Sequence, residues 1–257
     1  MSYFVVTGAS SGIGEAMCYV LAEQGYDLIM VARRAERLNQ IKEDIKQQYN
    51  CEVVTIPVDL SDLKSLHSLY EQCQAYNVIG LINNAGYGLY GEFLNLELEN
   101  ELNMIDLNIK TVHALTKLFL KDFVKNNKGY ILNVASTAAF QSGPLMATYY
   151  ATKGYVLQLT EAIEKELEVK NSNVVVSVLC PGPVDTEFQQ KAEIKVAKSL
   201  VAPPTAHEVA EYAYSQLMKK KTLIIPGYFN RMLLILNRFI PRKLGCQIVY
   251  QTQLKKK

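Results

Sequence analysis

Short apolar runs alternate with longer helical patterns along most of the chain, and this alternation limits the fold more than any other feature. The runs are rich in Val and Ile and mostly uninterrupted by polar residues, as is typical of strands covered on both faces. They span residues 3–8, 27–32, 52–58, 78–83, 129–135, 174–180 and 222–226. Helical patterns lie near 12–24, 34–49, 61–75, 99–127, 149–170 and 207–220. The order predicts an α/β chain with a doubly wound parallel sheet of about seven strands and helices on both faces.

Two residues mark predicted helix ends. Gly25 follows the first helical pattern, where a residue in left-handed backbone commonly ends a helix. Ser61 precedes the third helical pattern and is its predicted N-cap, because a serine hydroxyl can accept a hydrogen bond from the first turn.

Length and cysteine usage favour one domain in a reducing compartment. A chain of 257 residues fits a single large domain, and no repeat or linker divides residues 1–257. The five cysteines form no Cys-x-x-Cys pair and the three histidines are scattered, so we expect reduced thiols and no metal site. The chain shows neither a secretory signal pattern nor the roughly 18 uninterrupted apolar residues of a membrane span. We therefore expect a cytoplasmic protein.

A glycine-rich turn joins the first predicted strand to the first predicted helix. The turn reads Thr7-Gly8-Ala9-Ser10-Ser11-Gly12-Ile13-Gly14, a G-x-x-x-G-x-G spacing rather than the common G-x-G-x-x-G. Its glycines permit a tight turn and let the backbone approach a pyrophosphate, which the N–H groups and dipole of the new helix then face. Its place between strand and helix predicts a dinucleotide site.

An arginine pair ends the second predicted strand. An enzyme that uses NAD places an acidic residue about 20 residues past the glycines, where it holds the ribose 2′-OH. This chain has Arg33 nineteen residues after Gly14, followed by Arg34. Because a guanidinium suits a 2′-phosphate, the pair favours NADP(H) over NAD. A surface arginine pair at the start of a helix is the alternative.

A tyrosine and a lysine share one face of the helix predicted at 149–170. Tyr149 and Lys153 are four residues apart, which places them together on a helix. A free tyrosine has a pKa of about 10, and a neighbouring ammonium lowers it, so the pair forms a general acid/base. Tyr150 lies three residues before Lys153, and on this spacing alone it remains an alternative.

These motifs together resemble the short-chain dehydrogenase/reductase family. Residues 7–14 resemble the family's cofactor loop, and the other matching segments follow in order up to residue 186. They are Asp59-Leu60, Asn83-Asn84-Ala85-Gly86, Asn108, Ser136, the Tyr149/Lys153 pair, and Pro181-Gly182-Pro183-Val184-Asp185-Thr186. The thirteen residues from Ser136 to Tyr149 match the family's interval and select Tyr149 over Tyr150.

The resemblance implies a single-domain Rossmann fold of the NADP-dependent type and a set of site residues. The implied catalytic residues are Asn108, Ser136, Tyr149 and Lys153. The implied cofactor contacts are Gly8, Ser10, Ser11, Gly12, Ile13, Gly14, Arg33, Arg34, Asp59, Leu60, Asn84, Ala85, Gly86, Tyr149, Lys153, Pro181, Gly182, Val184 and Thr186.

The implied reaction is the NADPH-dependent reduction of a carbonyl to an alcohol. Ser136 would hydrogen-bond the substrate oxygen, Tyr149 would protonate it, Lys153 would lower the tyrosine pKa and bind the nicotinamide ribose, and Asn108 would hold a water. We expect an apolar ketone, aldehyde or 3-oxoacyl substrate. A non-catalytic NADPH-binding regulator and an epimerase or dehydratase on the same fold are the alternatives.

The C-terminal part of the chain differs from the rest. Residues 187–204 mix polar and apolar residues and predict a substrate lid. The first 211 residues carry 17 Lys/Arg and 25 Asp/Glu, whereas the last 46 carry 10 Lys/Arg and no acid. Residues 228–257 therefore form a basic extension, with an apolar helical stripe of Phe229, Met232, Leu233, Leu236, Phe239 and Ile240.

Three interpretations of this extension remain. The stripe packs on its own domain beside the substrate, forms a contact in a homodimer or homotetramer, or lies on an anionic membrane surface. The charge could also attract an acidic acyl carrier. We expect no nucleic acid partner, since no recognised binding motif accompanies the lysines.

Overall fold

A computed structural model describes residues 2–184, 186–187 and 203–255. These residues form one seven-stranded sheet in the order β3-β2-β1-β4-β5-β6-β7, with all neighbouring strands parallel. The strands are β1 (Tyr3–Thr7), β2 (Asp27–Ala32), β3 (Val53–Pro57), β4 (Val78–Asn83), β5 (Tyr130–Val134), β6 (Val175–Leu179) and β7 (Leu223–Ile224). This order confirms the prediction of a doubly wound Rossmann-type sheet.

Helices follow the strands and cover both faces of the sheet. They are α1 (Gly12–Glu23), α2 (Ala35–Gln48), α3 (Leu63–Cys73), α4 (Leu98–Ile105), α5 (Val112–Lys125), α6 (Ala147–Val169), α7 (Ala206–Met218), α8 (Tyr228–Asn237) and α9 (Arg242–Leu254). Short 3-10 turns occupy Phe93–Asn95 and Thr137–Phe140. No helix in the described ranges is both long and apolar enough to cross a membrane.

Alternate residues of the central strands enter two separate cores. Phe4 and Val6 of β1 pack with buried residues of α1, α2 and α7. Val5 points the other way and packs with buried residues of α3, α5 and α6. Successive side chains of a strand face opposite sides, so an uninterrupted apolar strand supplies both cores at once.

Helix boundaries differ from the sequence prediction at two places. The pattern at 99–127 predicts one helix, but α4 and α5 are joined by a π-helical segment, Asp106–Thr111. The predicted N-cap Ser61 is wrong: Asp62 caps α3, and its carboxylate accepts a 3.0 Å hydrogen bond from the Ser65 N–H. Gly25 has a φ of 80° just past α1, as its position predicted.

The C-terminal pattern forms two helices rather than one, α8 and α9. None of the α8 residues is buried, so the predicted apolar stripe does not pack into the core of its own domain. By contrast, α9 buries Gly245, Val249 and Gln253. The predicted lid at 187–204 lies almost entirely outside the described residues.

Candidate active site

The predicted site residues follow the carboxyl ends of the central strands. β1 pairs with β2 on one side and β4 on the other, so the strand order reverses beside β1. Ligands of doubly wound sheets bind in the crevice at such a reversal. The residues that follow β1, β4 and β5 include Gly8, Asn84 and Ser136, which places three of the predicted segments at this crevice.

The glycine-rich turn, residues 7–14, packs so tightly that its glycines leave no space for side chains. Gly8 and Gly12 have φ values of 67° and 59°, which side-chain-bearing residues rarely adopt. A Cβ at Gly8 would lie 2.8 Å from the Asn84 amide nitrogen, and one at Gly14 would lie 2.3 Å from the Gly8 carbonyl oxygen. Because α1 begins at Gly12, its free N–H groups open onto this turn. The turn therefore fits the pyrophosphate of a dinucleotide.

Thr7 and Asn84 fix the glycine-rich turn against the end of β4. The Thr7 hydroxyl donates to the Ile82 carbonyl at 3.2 Å and accepts hydrogen bonds from the backbone N–H groups of Asn84 and Ala85 at 3.0 and 3.1 Å. The Asn84 amide donates to the carbonyls of Thr7 and Gly8 at 3.1 and 3.3 Å. Sequence analysis missed the role of Thr7, although it begins the glycine-rich motif.

The two arginines after β2 have different surroundings. Arg34 donates to the Ser10 carbonyl at 2.9 Å and pairs with Glu187 at 3.1 Å, so it fixes the glycine-rich turn. The Arg33 side chain is 68% exposed and lies 3.7 Å from the Asp59 carboxylate. Arg33 is thus the arginine that is more available to a 2′-phosphate.

Asp59 and Leu60 lie beside Arg33, after β3. Burial works to raise the pKa of Asp59, but hydrogen bonds from Ser61 and the charge of Arg33 hold this pKa below its usual value. The Leu60 carbonyl accepts a 2.5 Å hydrogen bond from the Thr111 hydroxyl. Asp59 thus stays charged beside Arg33, and both belong to the implied cofactor contacts.

Ser136 lies next to Tyr149 and lowers the pKa of its phenol through a side-chain hydrogen bond. Ser136 caps the 3-10 turn that follows β5, because its hydroxyl oxygen accepts a 3.1 Å hydrogen bond from the Ala138 N–H. Tyr149 lies in the first turn of α6 and is 8% exposed. The fold therefore brings together two residues that are thirteen positions apart in the sequence.

Lys153 lies behind Tyr149, one turn further along α6. Its ammonium donates a 2.9 Å hydrogen bond to the Val134 carbonyl and lies 5.9 Å from the centroid of the Tyr149 ring. Burial lowers the pKa of Lys153 to about 8. A Cβ on Gly86 would lie 3.5 Å from this ammonium, so the Asn84-Ala85-Gly86 segment passes directly over Lys153.

The predicted lowering of the tyrosine pKa is wrong for this arrangement. Burial raises the pKa of Tyr149 to about 12, and the hydrogen bond from Ser136 offsets only part of that rise. The reason is geometric, since the Lys153 ammonium points to a backbone carbonyl rather than to the phenol oxygen. Tyr149 is consequently a protonated phenol throughout the neutral pH range.

Asn108 lies in the π-helical segment between α4 and α5 and is fully buried. Its carbonyl oxygen accepts from the Tyr87 N–H at 3.1 Å, and its amide donates to the Tyr87 carbonyl at 2.9 Å and to the Thr152 hydroxyl at 3.1 Å. Segments of π-helix often mark functional positions. Here Asn108 links the π-helical segment by hydrogen bonds to Tyr87, which follows β4, and to Thr152 of α6.

The segment after β6 closes the crevice on the remaining side. The Pro181 carbonyl accepts a 2.9 Å hydrogen bond from the Thr137 N–H. Val184 is buried, and the Thr186 side chain lies 3.2 Å from where a Cβ on Gly12 would be. A Cβ on Gly182 would lie 2.7 Å from the Asn230 amide nitrogen of α8, so Asn230 covers this segment.

The amino-acid sequence matches the profile of a known protein family. The family is described as short chain dehydrogenase, and the match spans residues 2–197. The chain belongs to the short-chain dehydrogenase family. The NADP-dependent 3-hydroxy acid dehydrogenase of Schizosaccharomyces pombe is 31% identical over 233 residues, covering 86% of this chain and 88% of that one.

Other relatives extend this likeness. The very-long-chain 3-oxoacyl-CoA reductase of Mus musculus is 29% identical over 255 residues, covering 95% of this chain and 77% of that one. A solved short-chain dehydrogenase from Sphingobium yanoikuyae, in complex with NADPH, is 27% identical and superposes with a TM-score of 0.82, covering 89% of each chain.

One side of the site in this short-chain dehydrogenase was missed by sequence analysis. The Tyr150 hydroxyl accepts a hydrogen bond from the side-chain amide of Gln253 in α9, and the Tyr90 hydroxyl donates to the backbone carbonyl of Gln253 at 2.9 Å. Met146 and Tyr149 pack in the same cluster. Tyr150 could be recognised from the sequence because it is adjacent to Tyr149. Gln253 belongs to no motif and lies more than one hundred residues from Tyr150.

Proposed function

We propose that the chain reduces a carbonyl group of an apolar ketone, aldehyde or 3-oxoacyl compound to an alcohol, with Tyr149 as the proton donor. The chain is an NADP(H)-dependent oxidoreductase of the short-chain dehydrogenase family that acts on CH–OH or C=O groups. The observation that carries the proposal is the hydrogen bond between Ser136 and Tyr149, with Lys153 buried behind them.

The residues around the glycine-rich turn fit NADP(H). The pyrophosphate would lie on the N-terminus of α1, which the tight turn through Gly8, Gly12 and Gly14 presents to the crevice. Arg33 would bind the 2′-phosphate, because its guanidinium is exposed and, among the described residues, pairs with the Asp59 carboxylate alone. The Pro181–Thr186 segment and Lys153 would hold the nicotinamide end. When bound, NADPH supplies the hydride that reduces the carbonyl carbon.

The proton chemistry follows from the side chains of the site. Tyr149 is a phenol at neutral pH because burial raises its pKa to about 12, so it can give a proton to the substrate oxygen. With substrate bound, the Ser136 hydroxyl, held in place by the Ala138 N–H, would turn its proton from Tyr149 to the same oxygen and stabilise its developing charge. Lys153, whose ammonium points to the Val134 carbonyl rather than to the phenol oxygen, would assist by holding the nicotinamide ribose.

An apolar substrate fits the side of the site next to Tyr149. The buried cluster there contains Met104, Met146 and Tyr149, and Tyr87, Leu89 and Tyr150 pack against it. Aromatic and methionine side chains of this kind bind alkyl or ring surfaces well. The names of two relatives, a 3-hydroxy acid dehydrogenase and a very-long-chain 3-oxoacyl-CoA reductase, agree with an acyl substrate.

A panel of carbonyl compounds of increasing chain length, followed at the NADPH absorbance band, tests the proposal. Tyr149→Phe should lower turnover by about 100-fold or more while NADPH binding stays largely unchanged. Tyr150→Phe is the matched control and should retain most of the turnover. Product formation without net NADPH oxidation would point to an epimerase or dehydratase, and NADPH binding without any turnover to a regulator.

Several further expectations stay predictions. These are the single domain over residues 1–257, a homodimer or homotetramer, a cytoplasmic location, and a contact of the basic extension 228–257 with an anionic membrane or an acyl carrier. A water held by Asn108 is also a prediction. The Asn108 carbonyl oxygen has a second lone pair, beside the one used by the Tyr87 N–H, that can accept from such a water.

A further inference from the structure

Helix α8 exposes apolar side chains and turns polar ones toward the protein, which is the opposite of an ordinary surface helix. Its two asparagines face the protein: the Asn230 amide donates to the Pro226 carbonyl at 2.9 Å and covers Gly182, and the Asn237 amide lies 3.4 Å from the Phe140 carbonyl. Most of its apolar side chains are exposed, and Leu234 alone among them is half-buried, on the face of the asparagines. A soluble helix normally buries its apolar stripe and exposes its polar one.

The outward face of α8 and the turn after it form an exposed apolar surface. We define this docking surface by Tyr228, Phe229, Met232, Leu233, Leu236 and Phe239. Tyr228 and Phe239 are each 81% exposed, and Phe229 and Leu236 are 59% and 52% exposed. Exposed apolar patches of this extent mark interaction sites.

Basic side chains lie at the C-terminal end of the docking surface. Arg238 follows α8, and Arg242 and Lys243 begin α9, on the other side of Phe239 in the sequence. None of the three forms an ion pair with any residue in the described ranges. The last 46 residues of the sequence contain no Asp or Glu that could neutralise them.

This combination favours a lipid surface over a second copy of the chain. A symmetric contact would bring two copies of the same basic segment together, and that segment has no Asp or Glu to pair with the basic residues of the other copy. An anionic bilayer offers apolar depth to Phe229, Leu236 and Phe239, and phosphate charge to the arginines.

We propose that the docking surface binds the headgroup region of an anionic membrane, with α8 lying in the interface plane. The inner face of the same two helices contacts the site, through Asn230 over Gly182 and Gln253 against Tyr150. Docking therefore brings the substrate side of the site close to the bilayer, and the substrate is a lipophilic carbonyl compound drawn from it. The source of the substrate rests on the proposed function, whereas docking itself does not.

Flotation of the full chain with vesicles tests the docking. Vesicles of phosphatidylcholine with one third phosphatidylglycerol should carry the protein at low salt, and pure phosphatidylcholine vesicles should not. Arg238→Gln together with Arg242→Gln should weaken binding by about 25-fold, about fivefold for each charge. Phe229→Gln together with Leu236→Gln should weaken it by about tenfold or more.

Matched substitutions elsewhere control for general effects. Leu94→Gln removes a side chain that is 92% exposed but lies outside α8 and α9, and Lys128→Gln removes an exposed charge after α5. Both should leave vesicle binding unchanged. NADPH oxidation with a water-soluble carbonyl compound should persist in every variant, which separates a failure of docking from a failure of the proposed reaction.

Three results would overturn the proposal. The first is a full chain that ignores anionic vesicles at low salt. The second is equal vesicle binding by the docking-surface variants and their controls. The third is a lipid-free oligomer that dissociates when Phe229 and Leu236 are replaced, which would assign the surface to a second copy. Vesicle binding without any NADPH turnover would leave docking intact and reject the reaction.

Discussion

The side-chain amide of Gln253 donates a 2.8 Å hydrogen bond to the hydroxyl of Tyr150, which lies 103 positions earlier in the chain. Gln253 is only 2% exposed. The Tyr150 ring meets the Tyr149 ring edge-on, with centroids 6.1 Å apart. Helix α9 therefore positions the aromatic side chain next to the proposed proton donor, although no residue of α9 belongs to a recognised motif.

Replacing Gln253 should affect the carbonyl substrate and not the cofactor. Gln253→Leu removes a hydrogen bond between buried groups, for which the net loss is about 1 kcal/mol. We expect the KM of the carbonyl substrate to rise by about fivefold, while the KM of NADPH stays unchanged because Tyr150 lies on the substrate side. Steady-state kinetics with each substrate varied in turn measures both.

Gln251→Leu is the matched control for that experiment, since Gln251 lies on the same helix but is exposed. It should change neither constant. Equal increases in both KM values for Gln253→Leu would mean that α9 supports the whole fold rather than the substrate side.

Replacing each of the two arginines after β2 should change the KM values for NADPH and NADH in different ways. Arg33→Ala removes the exposed guanidinium near Asp59, so we expect the KM for NADPH to rise by roughly tenfold or more and the KM for NADH to change little. Arg34→Ala removes the contact with the Ser10 carbonyl, which fixes the turn used by either cofactor. Its effect on NADPH and NADH should therefore be similar.

Kinetics of both variants with both cofactors provides the measurement. If Arg33→Ala raises the two KM values by the same factor, Arg33 does not bind a 2′-phosphate. If Arg34→Ala alone is selective for NADPH, the roles of the two arginines are exchanged.

The sheet and the order of the site segments were predictable because each depends on local sequence. Strands buried on both faces must be apolar throughout, and Gly8 must be glycine because a Cβ would meet Asn84. The break between α4 and α5 was not predictable, since the apolar period continues through Asn108. The exposure of the apolar stripe of α8 was not predictable either, because periodicity identifies an apolar face without saying what covers it.

The remaining misses depend on contacts between distant parts of the chain. Thr7 fixes the glycine-rich turn through backbone groups 77 and 78 residues away. Burial of Tyr149 and the orientation of Lys153 toward the Val134 carbonyl reverse the predicted direction of the tyrosine pKa. Such effects require the folded geometry, because neither burial nor side-chain direction can be read from a spacing of four residues.

Carbonyl reduction should slow as the pH rises through about 8. Burial lowers the pKa of Lys153 to about 8, so its positive charge is present below that pH and is lost above it. Tyr149, with a pKa raised to about 12, remains protonated over the same range and adds no second step. We expect single-turnover rates to be level between pH 6 and 7 and to fall by about tenfold per pH unit well above 8.

Lys153→Met is the companion variant for the pH profile. It should be slow at every pH and should show no step near 8, because the titrating ammonium is gone. A wild-type profile that is level from pH 6 to 10 would show that the charge of Lys153 does not assist the reaction.

Two glycine-to-alanine substitutions should affect different properties: Gly14→Ala should abolish NADPH binding, and Gly154→Ala should stabilise the fold. In Gly14→Ala, the new Cβ would lie 2.3 Å from the Gly8 carbonyl oxygen, so the glycine-rich turn must shift and NADPH binding should be lost. In Gly154→Ala, the nearest atom is the Ala139 carbonyl oxygen at 3.5 Å, an ordinary contact. Because Gly154 lies within α6, alanine should stabilise the fold by about 0.5–1 kcal/mol and raise the Tm by a few degrees. Thermal unfolding and NADPH titration of both variants measure these effects, and a Gly14→Ala protein that binds NADPH normally would contradict the assignment of the turn to the pyrophosphate.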